Sequence, residues 1–427
     1  MTTPIRLGIV GMGGFAGTHH QAVLALEEES QARLVCTCDP NPNGFLAEQR
    51  AWRLARRGVK VFDHHARLLE ECRADLDLLV VPTPIPLHAE MHRAGIAAGL
   101  AVYLEKPPTL DYLELNEMIR QDRLARKATF VGFNFIIEKP RLALKQRLVR
   151  GDFGPLREVH LTGRWPRPTS YFTRNTWAGR LLGSDGRIVL DSCLGNAMAH
   201  FVHNVLFWSG PHTLMSWAQL DRLRAELYRV HAIEGADTFF VHATTPEHVH
   251  LRIALSHACI ESSTPVETVV CEQATLRYVV GQDIEVQWND GRKERIAYVP
   301  FDTLVDNHLD YYRYLKGESD RPATTLEDSR PFVMLNDLAH VSSGRIETLE
   351  GEAIRRQRNA QDQKDYIIIN DLNLVQDRFI SEGVWPGESG WKRTSPAIEV
   401  GLQDLARFHT TVQTMAAEVA PSLRREP

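Results

Sequence analysis

Ile5-Arg6-Leu7-Gly8-Ile9-Val10-Gly11-Met12-Gly13-Gly14-Phe15-Ala16-Gly17 is the stretch from which the rest of the chain is read. A short apolar run leads straight into a glycine-rich turn, and Thr18 to Glu29 then reads as a helix carrying Ala22, Leu24, Ala25 and Leu26. Strand, Gly-x-Gly-x-x-Ala and helix, in that order, form a dinucleotide-binding fingerprint. Gly11 permits the tight turn, Gly13 lets the backbone approach a pyrophosphate, and Ala16 allows close packing of helix on strand. With Gly14 and Phe15 completing the turn, the free N–H groups and positive dipole end of the helix face the phosphates. The next strand, 33–38, ends in Asp39, which lies 23 residues beyond Ala16 and so near the spacing at which an acid takes the ribose hydroxyls. Pro40-Asn41-Pro42-Asn43 follows it, with no adjacent arginine to hold a 2′-phosphate. NAD is therefore the expected cofactor, and NADP the alternative if Arg50 or Arg53 folds back.

Alternation of strand and helix continues outward from this unit. Strands are expected at 59–62, 76–81, 101–104 and 129–135, with helices at 66–72, 87–98 and 110–127 between them. Such alternation predicts an N-terminal Rossmann domain, a doubly wound parallel sheet, over residues 1–130. Pro82, Thr83 and Pro84, at the end of the fourth strand, suit a loop along the nicotinamide side, with His88 beside it. Ala101-Val102-Tyr103-Leu104 ends in Glu105-Lys106-Pro107, and ligands gather at the carboxyl ends of such strands. A lysine there donates to a substrate oxygen, or moves a proton if its pKa is lowered.

Residues 131–345 read as a substrate and oligomerisation domain of α+β type. Its mostly antiparallel open sheet includes strands at 157–164, 238–244, 248–258, 275–280 and 285–288. Residues 346–427 read as a C-terminal extension packing on the two domains. The whole is an α/β protein. Its 427 residues carry a net charge of −5, which offers no electrostatic footprint for nucleic acid or for a membrane surface. The first residues enter a strand pattern without a secretory leader, and no apolar run reaches membrane-span length. Six cysteines without paired spacing suit reduced thiols, so a cytoplasmic location is expected. Cys36 and Cys38 read as core residues. His242, His248, His250 and His257 read as a polar or interface face, and no metal site is expected.

The most informative part of the second domain runs from Gly186 to Gly210. Asn196 and His200 stand i,i+4 on an expected helix, with His203 one turn further on the same side. Just before it, Trp165, Arg167, Tyr171, Arg174, Asn175 and Trp177 crowd one loop. Aromatic faces stack on sugar rings, while Arg and Asn donate to hydroxyls or carboxylates; a subunit-contact loop favours the same residue types.

The glycine-rich turn, Glu105-Lys106-Pro107 after the fifth strand and a His-bearing helix following a strand together resemble the Gfo/Idh/MocA family, that of glucose–fructose oxidoreductase and inositol dehydrogenase. The likeness covers roughly residues 5–345. It implies that Lys106 carries catalysis beside the nicotinamide, that Glu105 helps shape the cofactor pocket, and that an Asp and a His four residues apart open the second domain's long helix. Counted back from Gly210, His200 takes the His position and Asn196 the Asp position. Counted forward from the strand, Asp191 takes the Asp position and Gly195 stands where the His would be. The first register is preferred because it keeps histidine and partner on one helical face, with Asp191 capping the helix or reaching the sugar. The resemblance thus implies a dehydrogenase of a sugar, cyclitol or related polyol, with Lys106 and His200 flanking the reacting hydroxyl. It also leaves room for a non-catalytic nucleotide sensor, or for a redox-neutral enzyme with tightly held NAD. A homodimer or homotetramer through the second-domain sheet is expected.

Overall fold

The computed structural model describes residues 3–423, so the outermost positions of the ranges 1–130 and 346–427 lie outside the described residues. The chain forms two compact units. One holds residues up to Ile137 together with Pro300–Arg330; the other holds Glu138–Val299 and everything from Pro331 onward.

In the first unit, β1 (Ile5–Val10), α1 (Phe15–Glu28), β2 (Ala32–Cys38), α2 (Leu46–Ala51), β3 (Lys60–Phe62), α3 (His65–Cys72), β4 (Leu78–Val81), α4 (His88–Ala97), β5 (Ala101–Leu104), α5 (Tyr112–Asp122) and β6 (Phe130–Val131) follow in chain order. The strands form one sheet of order β3-β2-β1-β4-β5-β6, parallel throughout. This is the doubly wound arrangement, with its topological switch between β1 and β4. Leu7, Ile9, Leu78 and Val80 are fully buried in it, as continuous apolar strands covered on both faces should be.

The sixth strand is shorter than expected, because the Val131 N–H donates to Thr324 O (2.9 Å) and the chain turns with Phe133 N–H on Val131 O (2.7 Å). Thr324 belongs to the segment 300–330, which returns to this unit instead of staying within 131–345. Its aromatic residues explain the return: Tyr311 and Tyr312 are buried in the same cluster as Leu7, Tyr103 and Phe130.

The second unit begins with α6 (Lys139–Arg150), β7 (Leu156–Arg164) and α7 (Ala199–Ser209), then β8 (Arg222–Arg229), β9 (Thr238–Thr244), β10 (His250–Ser256), β11 (Ser263–Cys271), β12 (Ala274–Val279), β13 (Ile284–Trp288) and β14 (Lys293–Ile296). After α8 (Val305–Leu315) of the first unit come α9 (Leu326–Ser343), β15 (Ile346–Thr348), β16 (Ile354–Arg358), β17 (Asp365–Ile369), α10 (Leu372–Glu382) and α11 (Phe408–Leu423). The sheet order is β14-β13-β12-β11-β7-β10-β9-β8-β15, antiparallel except where β10 meets β7 and β15 meets β8.

The C-terminal segment is part of this unit. Ile367, Ile369, Val375, Phe379, Trp385 and Trp391 pack on Tyr228, Phe240 and Ala254, which project from one face of β8, β9 and β10. That part of the sheet face, expected to meet another subunit, is covered by the chain itself. The basic tract Arg355-Arg356-Gln357-Arg358, a strand within β16, pairs antiparallel with β17.

A fully buried ionic network anchors α7. Arg141 donates to Glu138 (2.8 Å) and Glu267 (2.7 Å), and Glu267 also accepts from Asn204 Nδ2 (2.7 Å) and Trp208 Nε1 (2.5 Å). Lys145, also buried, caps the far end of α7 through the carbonyls of Phe207 and Gly210. Removing one partner of a buried pair leaves the others desolvated and unmatched. Glu267→Ala is therefore expected to destabilise the second unit by about 3–5 kcal/mol in urea unfolding followed by tryptophan fluorescence. A cost under about 1 kcal/mol, as for a surface pair, would contradict the assignment.

Candidate functional site

The turn from β1 into α1 is built around its glycines. Gly11 lies at φ +112°, and its N–H donates to Cys38 O (2.7 Å), tying the turn to the end of β2. A Cβ there would stand 3.3 Å from the Ala16 Cβ, so the small residues let helix and strand close up. Gly14, at φ +56°, precedes α1 with no side chain capping the helix and nothing within 4 Å of where its Cβ would project. A fourteen-residue helix thus presents its first N–H groups uncapped. Phe15 is exposed beside them.

Asp39 follows β2 and is fixed by two backbone donors, Met12 N–H on Oδ2 (3.1 Å) and Asn41 N–H on Oδ1 (2.9 Å). Arg53, one of the two arginines that would serve NADP if it folded back, pairs with Glu28 (3.7 Å). Across the turn, the Thr83 methyl lies within 4.0 Å of a Cβ placed on Gly11, and the buried Thr83 hydroxyl has no hydrogen-bond partner. The Ala16 and Gly17 N–H groups make only long bonds, 3.2 Å each, to Gly13 O and Gly14 O, so a helix start without a side-chain cap, a pinned carboxylate and an orphan hydroxyl stand around one turn, donor and acceptor types that suit a dinucleotide.

Two residues expected to touch the cofactor have other work. His88 is buried, with its ring nitrogens 2.7 Å from Thr83 O and 2.9 Å from Pro107 O. Burial pulls its pKa down. It clamps the loop after β4, with Pro82 and Pro84, to the turn after β5, and that turn includes a cis Lys106–Pro107 bond. Glu105 faces inward: Oε1 lies 3.0 Å from His19 Nε2, and Oε2 accepts from the Lys106 N–H (3.2 Å). Lys106 itself is half-buried at the strand's carboxyl end.

In the second unit the segment before α7 departs from the expected helix. Cys193–Ala197 forms a π turn opened by Ser192, whose Oγ accepts from Gly195 N–H (2.9 Å), and Met198 (φ −109°, ψ 20°) breaks the helix before Ala199. Asn196 and His200 therefore do not lie on one continuous α-helix. Asn196 Nδ2 donates instead to Asp191 Oδ1 (2.8 Å), while Gly179 N–H donates to Oδ2 (2.9 Å). Burial raises the Asp191 pKa, opposed by the Asn196 and Gly179 hydrogen bonds and by the charges of Arg174 and Arg167.

The aromatic loop supplies those charges. The Arg167 guanidinium lies over Trp165 (5.2 Å) and Tyr171 (4.3 Å), and that of Arg174 over Tyr171 (3.4 Å) and Trp177 (5.4 Å). The Tyr171 hydroxyl is pushed up by burial and by Asp191. Asn175, expected to reach substrate, spends its side-chain oxygen on the N–H groups of Trp177 (3.1 Å) and Ala178 (2.7 Å), shaping the turn. His203 is fully buried against Trp217 (5.3 Å between rings), so it packs the core instead of facing a ligand. His200, half-buried, lies on the first turn of α7.

Two further histidines flank this loop: His231, which sequence reading missed, and His257, which it read only as part of a polar sheet face. His231 Nδ1 lies 2.7 Å from Asp237 Oδ2, with its ring against Phe172 (4.7 Å). His257 Nδ1 lies 2.7 Å from Trp165 O, its pKa lowered to about 3 by burial. Neither pairing follows from sequence spacing. Of the other sheet histidines, His242 and His250 meet at 3.0 Å, and among the described residues no group of three or more His, Cys, Asp or Glu is arranged to hold a metal ion.

The parallel sheet and its uncapped helix define a dinucleotide-binding Rossmann unit. Residues 5–140 match the model of the oxidoreductase family with NAD-binding Rossmann fold, Gfo/Idh/MocA. Inositol 2-dehydrogenase of Rhizobium meliloti is 27% identical over 173 residues, 40% of this chain and 49% of the relative. A glycosyl hydrolase family 109 protein of Shewanella amazonensis is 25% identical over 157 residues, 36% of this chain and 33% of the relative. The matched stretch spans half or less of these curated relatives. The WlbA dehydrogenase of Bordetella pertussis, solved with NADH and UDP-GlcNAcA, shares the fold with a TM-score of 0.66 and 21% identity, over 80% of this chain and 95% of that one.

Because Asp39 has no arginine beside it, Asp39→Ser is expected to weaken NADH binding by about tenfold and to narrow the gap to NADPH, measured by nicotinamide fluorescence. An unchanged NADH affinity would remove Asp39 from the ribose site.

Proposed function

We propose that the protein is an NAD-dependent dehydrogenase, with NADP as alternative cofactor, acting on the CH–OH group of a sugar, cyclitol or related polyol derivative. The observation that carries this reading is the uncapped α1 N-terminus with Asp39 pinned beside it, in the same unit as a strand-end lysine. The family match and the dehydrogenase named among the curated relatives support it. Bound in that cradle, NAD supplies the hydride acceptor.

The residues of the chain position the substrate and move its proton. Lys106 donates to the reacting oxygen and, as the amine, takes the hydroxyl proton. Within the second unit, Asp191 is the stronger candidate for a substrate-binding group, ahead of Asn196. It is buried, its pKa is raised by burial, and Asn196 and Gly179 hold both of its oxygens. His200 remains the second candidate. Trp165, Tyr171 and Trp177 offer faces for a sugar ring, and Arg167 and Arg174 offer donors. A homo-oligomer formed through the sheet would use the β11–β14 half, since the β8–β10 face is covered.

A second reading is a redox-neutral enzyme that retains its NAD and releases product at the oxidation level of the substrate. A buried acid of raised pKa such as Asp191 suits protonation of a leaving group, which favours this reading. Absorbance of NADH separates the two: it grows with substrate for a dehydrogenase and stays flat while product forms for the other.

Lys106→Met is the test of the shared core. Turnover on a responsive polyol or sugar is expected to fall by about a hundredfold or more, with NADH affinity within about threefold of the parent protein. Survival of turnover within a few-fold would overturn the role of Lys106.

A further inference from the structure

Behind Lys106 lies a chain of buried polar groups that the proposed reaction does not use. Glu105 Oε1 lies 3.0 Å from His19 Nε2, His19 Nδ1 lies 3.1 Å from His308 Nε2, and His308 Nδ1 lies 3.3 Å from the Tyr312 hydroxyl. The four residues come from the end of β5, from α1 and from α8, and none exceeds 5% exposure. Aromatic rings jacket the chain: Phe15 stands edge-on to His19 at 5.5 Å, and Tyr103 edge-on to His19 at 5.2 Å and tilted on His308 at 4.8 Å. Gly132 leaves room for the Glu105 carboxylate, since a Cβ there would stand 2.7 Å from Oε1.

Proton positions along the chain follow from one another. Glu105 Oε2 accepts from the Lys106 N–H, as a carboxylate does. With Glu105 ionised, His19 carries its proton on Nε2, which leaves Nδ1 as acceptor. His308 must then donate from Nε2 to His19, which leaves its own Nδ1 to accept from the Tyr312 O–H. Burial and the neighbouring His19 hold the pKa of His308 well below the ordinary value, so its ring is neutral, as this order requires. Every donor in the chain points toward Glu105. One carboxylate charge in a dry interior is thereby matched without a cation.

We propose that His19, His308 and Tyr312 are positioning residues: through the Glu105 carboxylate they hold the backbone of Lys106 in its turn. The proposal rests on the reading of Lys106 as the proton-transfer group. A hydrogen-bonded carboxylate fixed on the far side of the strand end sets the backbone from which the lysine side chain extends, and misplacement by about 1 Å costs about a hundredfold in rate.

The test needs both a spectrum and a rescue. In the full-length protein, imidazole nitrogen NMR of labelled histidine is expected to show His19 and His308 with protonated Nε2 and bare Nδ1, the His308 ring unchanged between about pH 5 and 8. Besides Glu105, the titratable groups facing them are Tyr103 and Tyr312, both with pKa raised by burial, and His20, lowered to about 4 by burial. None of the three changes charge across that range. His308→Leu is expected to lower kcat by about tenfold or more with the KM for NAD little changed, and His308→Gln, which keeps a donor toward His19, to restore it to within about threefold. His308 titrating in the range, or the opposite tautomer at either ring, would overturn the chain. Equal kcat in the Leu and Gln variants would reduce it to packing. If the Leu variant fails to fold, the spectrum of the parent protein still decides. An active Lys106→Met enzyme would sink the reading on which the role rests while leaving the ring pattern to be judged separately.

Discussion

The N–H groups at the start of an α-helix have no partners within the helix, and this chain leaves those of α1 without a side-chain cap. Gly14 stands where a Ser or Asp would otherwise satisfy them. The turn's own carbonyls take only long bonds from them, Ala16 N–H on Gly13 O and Gly17 N–H on Gly14 O, both 3.2 Å. The first unit is arranged around that end: β1 supplies the turn, β2 on one side of it ends in Asp39, and β4 on the other ends in a loop whose Thr83 hydroxyl is unmatched. A helix start without a side-chain cap suits an anionic acceptor such as a pyrophosphate.

The second unit solves a different problem. Its ligand-facing candidates lie on irregular backbone, a π turn and a loop of aromatic and basic residues, and such backbone holds its shape only when packed from behind. The buried Arg141–Glu267 network and the Lys145 cap fix α7, which follows the π turn directly. Asp191 is then set by Asn196 and Gly179, with Arg167 and Arg174 near enough to temper its raised pKa. Rigidity behind and charge in front are the arrangement expected of a site that must orient a polyol.

How much of this could be read in the sequence depends on how local each interaction is. The cofactor cradle was legible because Gly11, Gly13, Ala16 and Asp39 act within one strand–helix–strand segment, where spacing fixes position. The Asn196–His200 pairing was not, because i,i+4 geometry assumes a continuous helix and the backbone at Met198 breaks it. The return of 300–330 to the first unit depends on Tyr311 and Tyr312 finding a core assembled far earlier in the chain, which periodicity does not reveal. His19 and His308 are 289 residues apart, and nothing in their spacing announces contact. Glu105 was placed correctly at a strand end, but a strand end offers inward and outward directions alike, and its side chain takes the inward one toward His19.

The most direct measurement of the central claim is a crystal structure with NAD and a responsive polyol or sugar acid bound together. The account predicts a substrate hydroxyl within hydrogen-bond reach, about 2.6–3.2 Å, of Lys106 Nζ. A substrate seated with its hydroxyls away from Lys106 would contradict it.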